Sequence, residues 1–429
     1  MVLVKNFKKL SFLVYGLGLT GQSVVNFFHR NNIQNFQVWD DINRDLYKRR
    51  RPESLNKALK EVSYIVLSPG VSLNKSKNKT KLTKYKKKII TDIDLIFLLK
   101  KFWKSIVITG TNGKSTTSKI VQHLLIENNY KALLGGNIGT PILDLQIRKD
   151  NILVIEASSF QLSHSKFISP DYAILLNITN DHLDWHGSMK NYIDSKFKIF
   201  EKQKKTQFSF VNKNFKKNYQ NRNLKGKLII PDEKKYKKLK LKIKNLYLNS
   251  KINDENMTNV LSLAKVFKIS EKSFLTSFDE FKGLPHRYEI FLKKKNYTFI
   301  NDSKATSFEA SKFALLNTKN IFWILGGLPK KNDKIYLNNL KLNLVKCYII
   351  GKHVNFFKKQ LKNSKVNFTI TKNLKNSILQ ILKDITLFKK KENIILLSPS
   401  AASFDQFRNF EKRGENFKKL VKQYARKYI

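Results

Sequence analysis

One short segment near residue 110 combines glycines, hydroxyl side chains and a lysine in the order that phosphate-binding loops use. Its sequence is Gly110-Thr111-Asn112-Gly113-Lys114-Ser115-Thr116. In such a loop the backbone N–H groups surround phosphate oxygens, the lysine reaches the outer phosphates, and the serine hydroxyl binds Mg²⁺. The full pattern also has a glycine where Ile108 stands here, so this is a shortened P-loop. A glycine-containing turn with a solvated lysine is the alternative interpretation.

The residues on either side of this loop favour nucleotide binding. The apolar residues 106–108 predict a strand that enters the loop. After the loop, apolar residues recur with helical spacing at Ile120, Val121, Leu124 and Leu125. Strand, tight loop and helix form the context in which backbone N–H groups and a helix N-terminus can face a phosphate.

Two ionisable side chains follow later predicted strands and are candidates for metal or phosphate contact. Glu156 follows the predicted strand 152–155, where a carboxylate downstream of a P-loop can organise Mg²⁺. His182 lies in the polar segment after the predicted strand 172–176, although a lone histidine is more often a packing residue. Lys196 falls on the helix that follows, and by itself it predicts only a surface lysine.

Two further segments of this middle region present polar side chains. The glycine-rich residues 135–139 predict a mobile polar loop that could present Asn137. The predicted helix 253–265 places Asn256 and Asn259 on one face, because they are three residues apart.

The N-terminal region carries a dinucleotide-type fingerprint in its expected context. Gly16–Gly21 has the pattern G-x-G-x-x-G after the predicted strand 11–15, and a second strand, 36–39, ends at Asp40. The glycines allow close approach of phosphates, and the acid can accept a hydrogen bond from a sugar or a base. Alone, the fingerprint would suit NAD(P) or another nucleotide diphosphate. A further strand, 64–67, precedes a turn that contains Gly70.

The last third of the chain again alternates strands and helices. Its predicted strands, which end in small and polar residues, are 297–300, 321–325, 348–350 and 394–397. Three such blocks predict an α/β fold of three domains, each a mainly parallel sheet flanked by helices. We predict a Rossmann-like N-terminal domain at 1–92, a central P-loop ATP-binding domain at 93–283 and a Rossmann-like C-terminal domain at 284–429.

The formal net charge of +51 on 429 residues is the most unusual bulk property. It could indicate a nucleic-acid-binding protein, but such proteins carry a localised basic patch or stripe. Here the excess is mostly lysine and is spread along the whole chain. We therefore interpret the charge as a compositional drift towards residues that AT-rich codons supply.

Other bulk properties indicate a cytoplasmic protein. Cys347 is the single cysteine, which excludes an intramolecular disulfide and suits a reducing compartment. No apolar run approaches the roughly 18 residues that span a bilayer. The lysines and apolar residues at the N-terminus could pass for a signal peptide, but the apolar run leads directly into the glycine fingerprint and a helix.

Taken together, the motifs resemble those of the Mur ligases over nearly the whole chain. Residues 110–116 are similar to that family's own short P-loop, which accounts for Ile108. Three segments resemble the members that add D-glutamate, namely Asn301–Thr306 (NDSKAT), Gly283–Arg287 (GLPHR) and Ser398–Phe407 (SPSAASFDQF). The third domain has no D-Y-A-H type segment of the kind that sister ligases carry.

The resemblance implies ATP-driven amide formation in the cytoplasm, an early step of peptidoglycan assembly. The substrates would be UDP-N-acetylmuramoyl-L-alanine and D-glutamate, joined through an acyl phosphate. The cofactors would be ATP and two Mg²⁺ ions. We expect a monomer with no nucleic-acid partner and no membrane span.

The resemblance also implies roles for individual residues. The catalytic centre would contain Lys114, Glu156, His182 and Lys196, and Mg²⁺ would be held by Ser115, Glu156, His182 and a carbamylated Lys196. The nucleotide would be bound by Gly110, Thr111, Asn112, Gly113, Lys114, Ser115, Thr116, Asn256, Asn259, Arg287 and Asp302. The UDP end of the substrate would contact Gly18, Leu19, Thr20, Asp40 and Gly70, and its muramoyl-alanine end would contact Asn137, Ser158 and Ser159. The D-glutamate pocket would contain Lys304, Thr306, Lys330, Ser403 and Phe410.

Two residues depart from the family pattern, and three alternatives stay open. Glu255 stands where the family often has histidine, and Ser307 stands where asparagine often follows NDSKAT. A folylpolyglutamate synthase would share the chemistry without needing the uridine-binding first domain. A cationic nucleic-acid-binding ATPase would need a localised basic groove with base-stacking aromatic residues. An NAD(P) oxidoreductase would leave the P-loop and the third domain without a role.

Overall fold

The computed structural model describes residues 7–71, 73, 76–99, 103–245, 247–330, 333–388 and 392–428. Within these ranges the strands form three separate sheets. The chain divides into two compact units, Met1–Phe281 with two of the sheets and Lys282–Ile429 with the third. None of the helices in the described ranges is long and apolar enough to cross a membrane.

The N-terminal sheet has four parallel strands. They are β1 (Phe12–Tyr15), β2 (Phe36–Trp39), β3 (Tyr64–Leu67) and β4 (Ile89–Ile90), in the order β2-β1-β3-β4. The helices are α1 (Leu19–Arg30), α2 (Leu55–Glu61), α3 (Lys79–Lys84) and α4 (Asp92–Leu98). Alternate residues of β1 enter different apolar cores, Phe12 and Val14 on one face and Leu13 and Tyr15 on the other, because successive side chains of a strand point to opposite faces.

The central sheet has six parallel strands. They are β5 (Lys104–Thr109), β6 (Lys131–Gly136), β7 (Asn151–Glu156), β8 (Tyr172–Leu175), β9 (Phe208–Val211) and β10 (Lys227–Ile229), in the order β10-β9-β8-β5-β7-β6. The helices are α5 (Lys114–Glu127), α6 (Ser159–His164), α7 (Leu183–His186), α8 (Met189–Glu201), α9 (Lys216–Gln220), α10 (Glu233–Lys240), α11 (Asp254–Val266) and α12 (Glu271–Thr276). Since β5 lies between β8 and β7, the loop after it is flanked by the ends of two other strands.

The third sheet belongs to the second unit. Its strands are β11 (Glu289–Lys294), β12 (Tyr297–Asn301), β13 (Ile321–Gly326), β14 (Leu344–Ile350), β15 (Phe368–Lys372) and β16 (Asn393–Leu397), in the order β11-β12-β16-β13-β14-β15. The helices are α13 (Phe308–Asn317), α14 (Val354–Asn363), α15 (Leu374–Asp384) and α16 (Phe410–Tyr428). Only the pairing of β11 with β12 is antiparallel, as the ladders of this sheet show.

The predicted α/β class is confirmed, and most predicted strands lie within two residues of the observed ones. The prediction of a mobile polar loop at 135–139 is wrong for Gly135 and Gly136, because β6 extends to Gly136 and pairs with β7 along its whole length. The strands β9, β11 and β15 were not predicted, since β9 (FSFV) has four residues within a lysine-rich region, and β11 (EIFLKK) and β15 (FTITK) mix apolar with polar or charged residues. The bounds of the three predicted domains stay a prediction.

Candidate active site

The P-loop follows the carboxyl end of β5 and continues into α5. Gly113 has a left-handed φ of 82°, and a Cβ atom there would lie 2.3 Å from Asn256 Oδ1. Only glycine tolerates both this conformation and this approach. The neighbouring strand end holds the loop, because Thr111 N donates to the Asn177 carbonyl and Asn112 N donates to Asn177 Oδ1, both at 2.8 Å. The N-terminus of α5 therefore lies at a strand end, where open α/β sheets bind anionic ligands.

Lys196 enters this loop from α8. Its Nζ donates to the Gly110 carbonyl at 2.8 Å and lies 4.6 Å from the Tyr192 ring centroid. The side chain is only 1% exposed, so the prediction of a surface lysine is wrong. Burial, and then the charge of Lys114, lower the pKa of Lys196 to about 6, although Asp181 raises it. A lysine with this pKa is mostly a neutral amine at pH 7.

Glu156 ends β7, next to the P-loop strand, and is 1% exposed. Its Oε1 accepts a hydrogen bond from Asn137 Nδ2 at 2.9 Å, while within the described residues no group donates to its buried Oε2. A buried carboxylate oxygen without a donor is costly unless a cation or a proton compensates it. Glu156 therefore fits the predicted metal ligand, and Asn137 fixes its orientation.

His182 and the serines of α6 lie beside this strand end. The His182 ring centroid is 4.8 Å from that of Phe160, and Nε2 is 3.5 Å from Asp181 Oδ2. Ser158 caps α6, since its hydroxyl accepts a hydrogen bond from Gln161 N. Among the described residues, no three His, Cys, Asp or Glu side chains converge in a metal-binding cluster.

A histidine that the sequence did not single out lies 3.0 Å from Ser159. This contact joins His186 Nε2 to Ser159 Oγ, and the His186 ring is stacked on Phe160 with 7° between the ring planes. Burial, and then the neighbouring charges of His182 and Lys196, lower the pKa of His186 to about 4. His186 is therefore neutral at pH 7 and can hold the serine hydroxyl in one orientation.

Glu255, one of the two departures from the family pattern, connects three elements. Its Oε2 accepts a hydrogen bond from Asn177 Nδ2 at 2.6 Å, and its Oε1 accepts one from Asn212 Nδ2 at 2.8 Å. Burial raises its pKa, and the two amide donors oppose that effect. Because Asn177 also holds Asn112 of the P-loop, Glu255 braces the loop from α11.

The two predicted nucleotide-binding asparagines lie on the buried face of α11. Asn256 Nδ2 donates to Asn253 Oδ1, and Asn259 Nδ2 donates to the Glu255 carbonyl, both at 2.9 Å. Within the described residues, the buried Asn259 Oδ1 has no donor. Asn259 and Glu255 line a cavity of about 380 Å³. This volume lies within the range of small-molecule sites.

In the N-terminal sheet, Asp40 braces the glycine fingerprint. One carboxylate oxygen accepts a hydrogen bond from Leu17 N at 2.6 Å, and the other accepts from Ile42 N and Asn43 N. Burial alone would raise the pKa of Asp40, but these three backbone donors lower it. The remaining predicted UDP contacts surround the same loops, with Gly18, Leu19 and Thr20 at the start of α1 and Gly70 in the turn after β3.

In the second unit, the predicted acceptor residues lie at neighbouring strand ends. Lys304 and Thr306 follow β12, Lys330 follows β13, Ser403 follows β16, and Phe410 begins α16. Lys304 Nζ lies 4.2 Å from the Phe410 ring centroid. The strand order β12-β16-β13 brings these three ends together at one edge of the sheet.

Two predicted nucleotide contacts also belong to this unit, Arg287 before β11 and Asp302 after β12. Asp302 accepts hydrogen bonds from Ser398 Oγ at 2.7 Å and Tyr288 N at 3.1 Å. Burial raises its pKa to about 7, and these donors oppose the effect.

A P-loop after a central strand of a parallel sheet, with a buried acid at the end of the neighbouring strand and a buried lysine from α8 at the loop, is typical of α/β enzymes that bind nucleoside triphosphates. A family model described as "Mur ligase middle domain" matches residues 108–273, and one described as "Mur ligase MurD-like, N-terminal domain" matches residues 10–90. The chain belongs to the Mur ligase family of ATP-dependent ligases, which act in peptidoglycan precursor synthesis.

Individual relatives agree with this assignment. The UDP-N-acetylmuramoylalanine--D-glutamate ligase of Rickettsia felis is 34% identical, covering 96% of this chain and 97% of the relative. The protein of the same name from Rickettsia prowazekii is 34% identical, covering 97% and 99%. The structure of a MurF ligase from Thermotoga maritima in complex with ADP matches with a TM-score of 0.55 at 16% identity, covering 98% of each chain. That structure supports the fold alone.

Proposed function

We propose that this protein is the ligase that joins D-glutamate to UDP-N-acetylmuramoyl-L-alanine with hydrolysis of ATP to ADP and phosphate. The observation that carries the proposal is the P-loop, which the buried Lys196 contacts at Gly110 and whose strand β5 lies beside β7, the strand that ends at the buried Glu156. The relatives at 34% identity carry the name of this reaction. The motifs NDSKAT and SPSAASFDQF in the second unit agree with it.

The reaction needs two steps, because a carboxylate is a poor electrophile. The alanyl carboxylate of the UDP substrate attacks the γ-phosphorus of ATP, ADP leaves, and an acyl phosphate forms. The amine of D-glutamate then attacks the acyl carbon, phosphate leaves, and the amine loses a proton. The P-loop N–H groups and Lys114 would bind the transferred phosphoryl group and stabilise its charge.

Mg²⁺ would be held by Ser115, Glu156, His182 and a carbamylated Lys196. The buried Oε2 of Glu156, to which no described residue donates a hydrogen bond, fits a cation. Bound Mg²⁺ would neutralise the charge that collects among the phosphate oxygens.

Carbamylation of Lys196 requires a neutral amine, and burial next to Lys114 favours that form. In this modification the amine nitrogen bonds to the carbon of CO₂ and one N–H proton leaves. A lysine that repels its neighbour Lys114 would thereby become an anion that attracts it.

The other predicted site residues complete the proposal. Asp40 braces the loop that would bind the UDP end, and Ser159, held by His186, would contact the muramoyl-alanine end. In the second unit, Lys304 and Ser403 would bind the carboxylates of D-glutamate, because ammonium and hydroxyl groups are suitable donors. We further propose that the protein acts in the cytoplasm as a monomer without a nucleic-acid partner.

The test is phosphate release from ATP and Mg²⁺ in the presence of UDP-N-acetylmuramoyl-L-alanine, with D-glutamate, L-glutamate or no amino acid. We expect release only with the UDP substrate and D-glutamate together, and loss of it in Lys114→Ala. Lys119→Ala, on the same helix but outside the loop, is the matched control. Phosphate release that does not depend on the UDP substrate or on D-glutamate, but increases with DNA or RNA, would contradict the ligase assignment.

A further inference from the structure

Arg413 is a fully buried arginine on α16 that no feature of the sequence distinguished. Its side chain is 1% exposed, among the largest buried side chains of the described part of the chain. Nε donates to Ser303 Oγ at 3.0 Å, and Nη2 donates to the carbonyl oxygens of Ser303 at 2.8 Å and Ala401 at 3.0 Å. All three acceptors are neutral. Within the described ranges, no carboxylate forms an ion pair with Arg413.

The remaining nitrogen of the guanidinium group, Nη1, is buried and has no acceptor among the described residues. It faces Gly327, where an added Cβ would lie 3.2 Å from Nη1 and 2.3 Å from the Ala402 carbonyl. Burial lowers the pKa of Arg413 to about 10, and Asp405 opposes that effect, so the group is charged at pH 7. Such a charge is costly to bury without a counter-ion.

The contacts of Arg413 join three neighbouring strand ends. Ser303 follows β12, Ala401 follows β16 and Gly327 follows β13, and these strands are adjacent in the sheet. Ligands of open α/β sheets bind outside such carboxyl ends. The guanidinium group therefore lies beneath the place where a ligand of this sheet would bind.

The residues proposed to contact D-glutamate extend from the same segments. Lys304 follows Ser303 directly, and Ser403 lies two residues after Ala401. The Ser303 hydroxyl, which accepts from Arg413, donates to the carbonyl of Phe410, whose ring lies 4.2 Å from Lys304 Nζ. A single side chain thus determines how the two segments and the start of α16 are arranged.

We propose that Arg413 is the positioning and specificity-determining residue of the amino-acid subsite: it holds the Ser303 and Ala401 segments in place, and its buried positive charge favours an acceptor with two carboxylates over one with a single carboxylate. This inference rests on the proposed function. The charge of Asp405 acts on Arg413 without forming an ion pair among the described residues, and an acidic amino acid would add further negative charge. A neutral side chain of similar volume would keep the packing and lose this preference.

The test compares Michaelis constants in wild type, Arg413→Lys, Arg413→Met and Ser303→Ala. We expect the KM for D-glutamate to rise about 10-fold in Arg413→Lys, which keeps the charge but loses the several N–H donors of the planar guanidinium group. In Arg413→Met, which loses both, we expect a rise of about 100-fold. Ser303→Ala should raise it less than Arg413→Met, because the charge remains. The KM values for ATP and the UDP substrate should change less than 2-fold in all three. The ratio of kcat/KM for D-glutamate to that for D-glutamine should fall in Arg413→Met.

Arg408→Met is the matched control, because it removes an exposed arginine five residues earlier and should change none of these values. If the KM values for D-glutamate, ATP and the UDP substrate rise together, or if only the melting temperature falls, Arg413 is a structural residue and the inference is wrong. If Arg413→Met does not fold, Arg413→Gln replaces it as the neutral variant in the comparison of D-glutamate with D-glutamine, and Arg413→Lys and Ser303→Ala still test the positioning role. Wild-type protein that does not use D-glutamate would overturn the proposed function, and this inference with it.

Discussion

Lys114 and Lys196 donate hydrogen bonds to the same acceptor, the carbonyl oxygen of Gly110, at 2.9 and 2.8 Å. Lys114 belongs to the P-loop, and Lys196 reaches the loop from α8. Two ammonium groups at one carbonyl repel each other, and the proximity of Lys114 contributes to the lowered pKa of Lys196. The pair therefore favours a neutral Lys196.

Lys196→Met should abolish a carbamate signal and most of the activity. After incubation with ¹³C-labelled CO₂ at pH 8, wild-type protein should show a carbamate resonance in its ¹³C NMR spectrum, because the amine is neutral there. Lys196→Met should lack it, and kcat should fall on the order of 100-fold, as when one electrostatic contact to a developing charge is lost. Lys190→Met, an exposed lysine on the same helix, serves as control. An unlabelled wild-type protein with full activity would show that carbamylation is not needed.

Glu255→Gln should weaken ATP binding. The carboxylate accepts hydrogen bonds from two amides, and a glutamine would turn one N–H group towards another. Loss of one such buried contact costs about 1–2 kcal/mol, so the KM for ATP should rise about 10-fold. Glu233→Gln, which lines the same cavity but is exposed, should leave the KM for ATP unchanged. Equal KM values in the two variants would exclude the bracing role of Glu255.

His186→Phe should raise the KM for the UDP substrate about 10-fold while leaving the KM for ATP within 2-fold. The phenyl ring can keep the stacking on Phe160, but it leaves the buried Ser159 hydroxyl without its partner, at a cost of about 1–2 kcal/mol. Steady-state kinetics with each substrate varied in turn would measure this. His353→Phe, an exposed histidine, is the control. A change in the KM for ATP of the same size would point to general disruption of the site.

Asp302→Asn should remove a pH dependence of stability. Burial raises the pKa of Asp302 from 3.8 to about 7, so between these values the folded protein binds a proton that the unfolded chain does not. The contribution of Asp302 to stability is therefore present below about pH 4 and decreases as the pH rises to about 7, by up to about 4 kcal/mol. Urea unfolding should show that the free energy of unfolding of Asp302→Asn, relative to that of wild type, is higher at pH 7.5 than at pH 4.5.

Asp384→Asn should change the pH dependence of stability in the opposite direction. Burial alone would raise the pKa of Asp384, but hydrogen bonds from Lys346, Tyr348 and Gln380 lower it. The contribution of Asp384 to the stability of the folded protein is present at pH values above the ordinary carboxyl pKa and decreases as the pH falls. Asp384→Asn should therefore be destabilised most near neutral pH. Parallel pH profiles for the two variants would contradict both assignments.

Local patterns in the sequence predicted much of the fold and the main motif. The apolar run of β5, the two glycines of the loop and the helical spacing of Ile120 and Leu124 are interactions between near neighbours, so their consequences are visible within about 20 residues. The same holds for the glycine fingerprint before α1. Strands that mix apolar with polar or charged residues, such as β11 and β15, gave a weaker signal.

The tertiary structure decided which polar side chains are buried and what they contact. Lys196 contacts Gly110 across 86 residues of sequence, Glu255 contacts Asn177 across 78, and Arg413 contacts Ser303 across 110. Apart from the family resemblance, which drew attention to Lys196 and Glu255, nothing near these residues in the chain distinguishes them from exposed lysines, glutamates and arginines. Their burial follows from the order of strands in each sheet, which brings distant strand ends together and removes water from the groups between them. The lowered pKa of Lys196 and the buried Nη1 of Arg413, which has no acceptor among the described residues, are consequences of that packing.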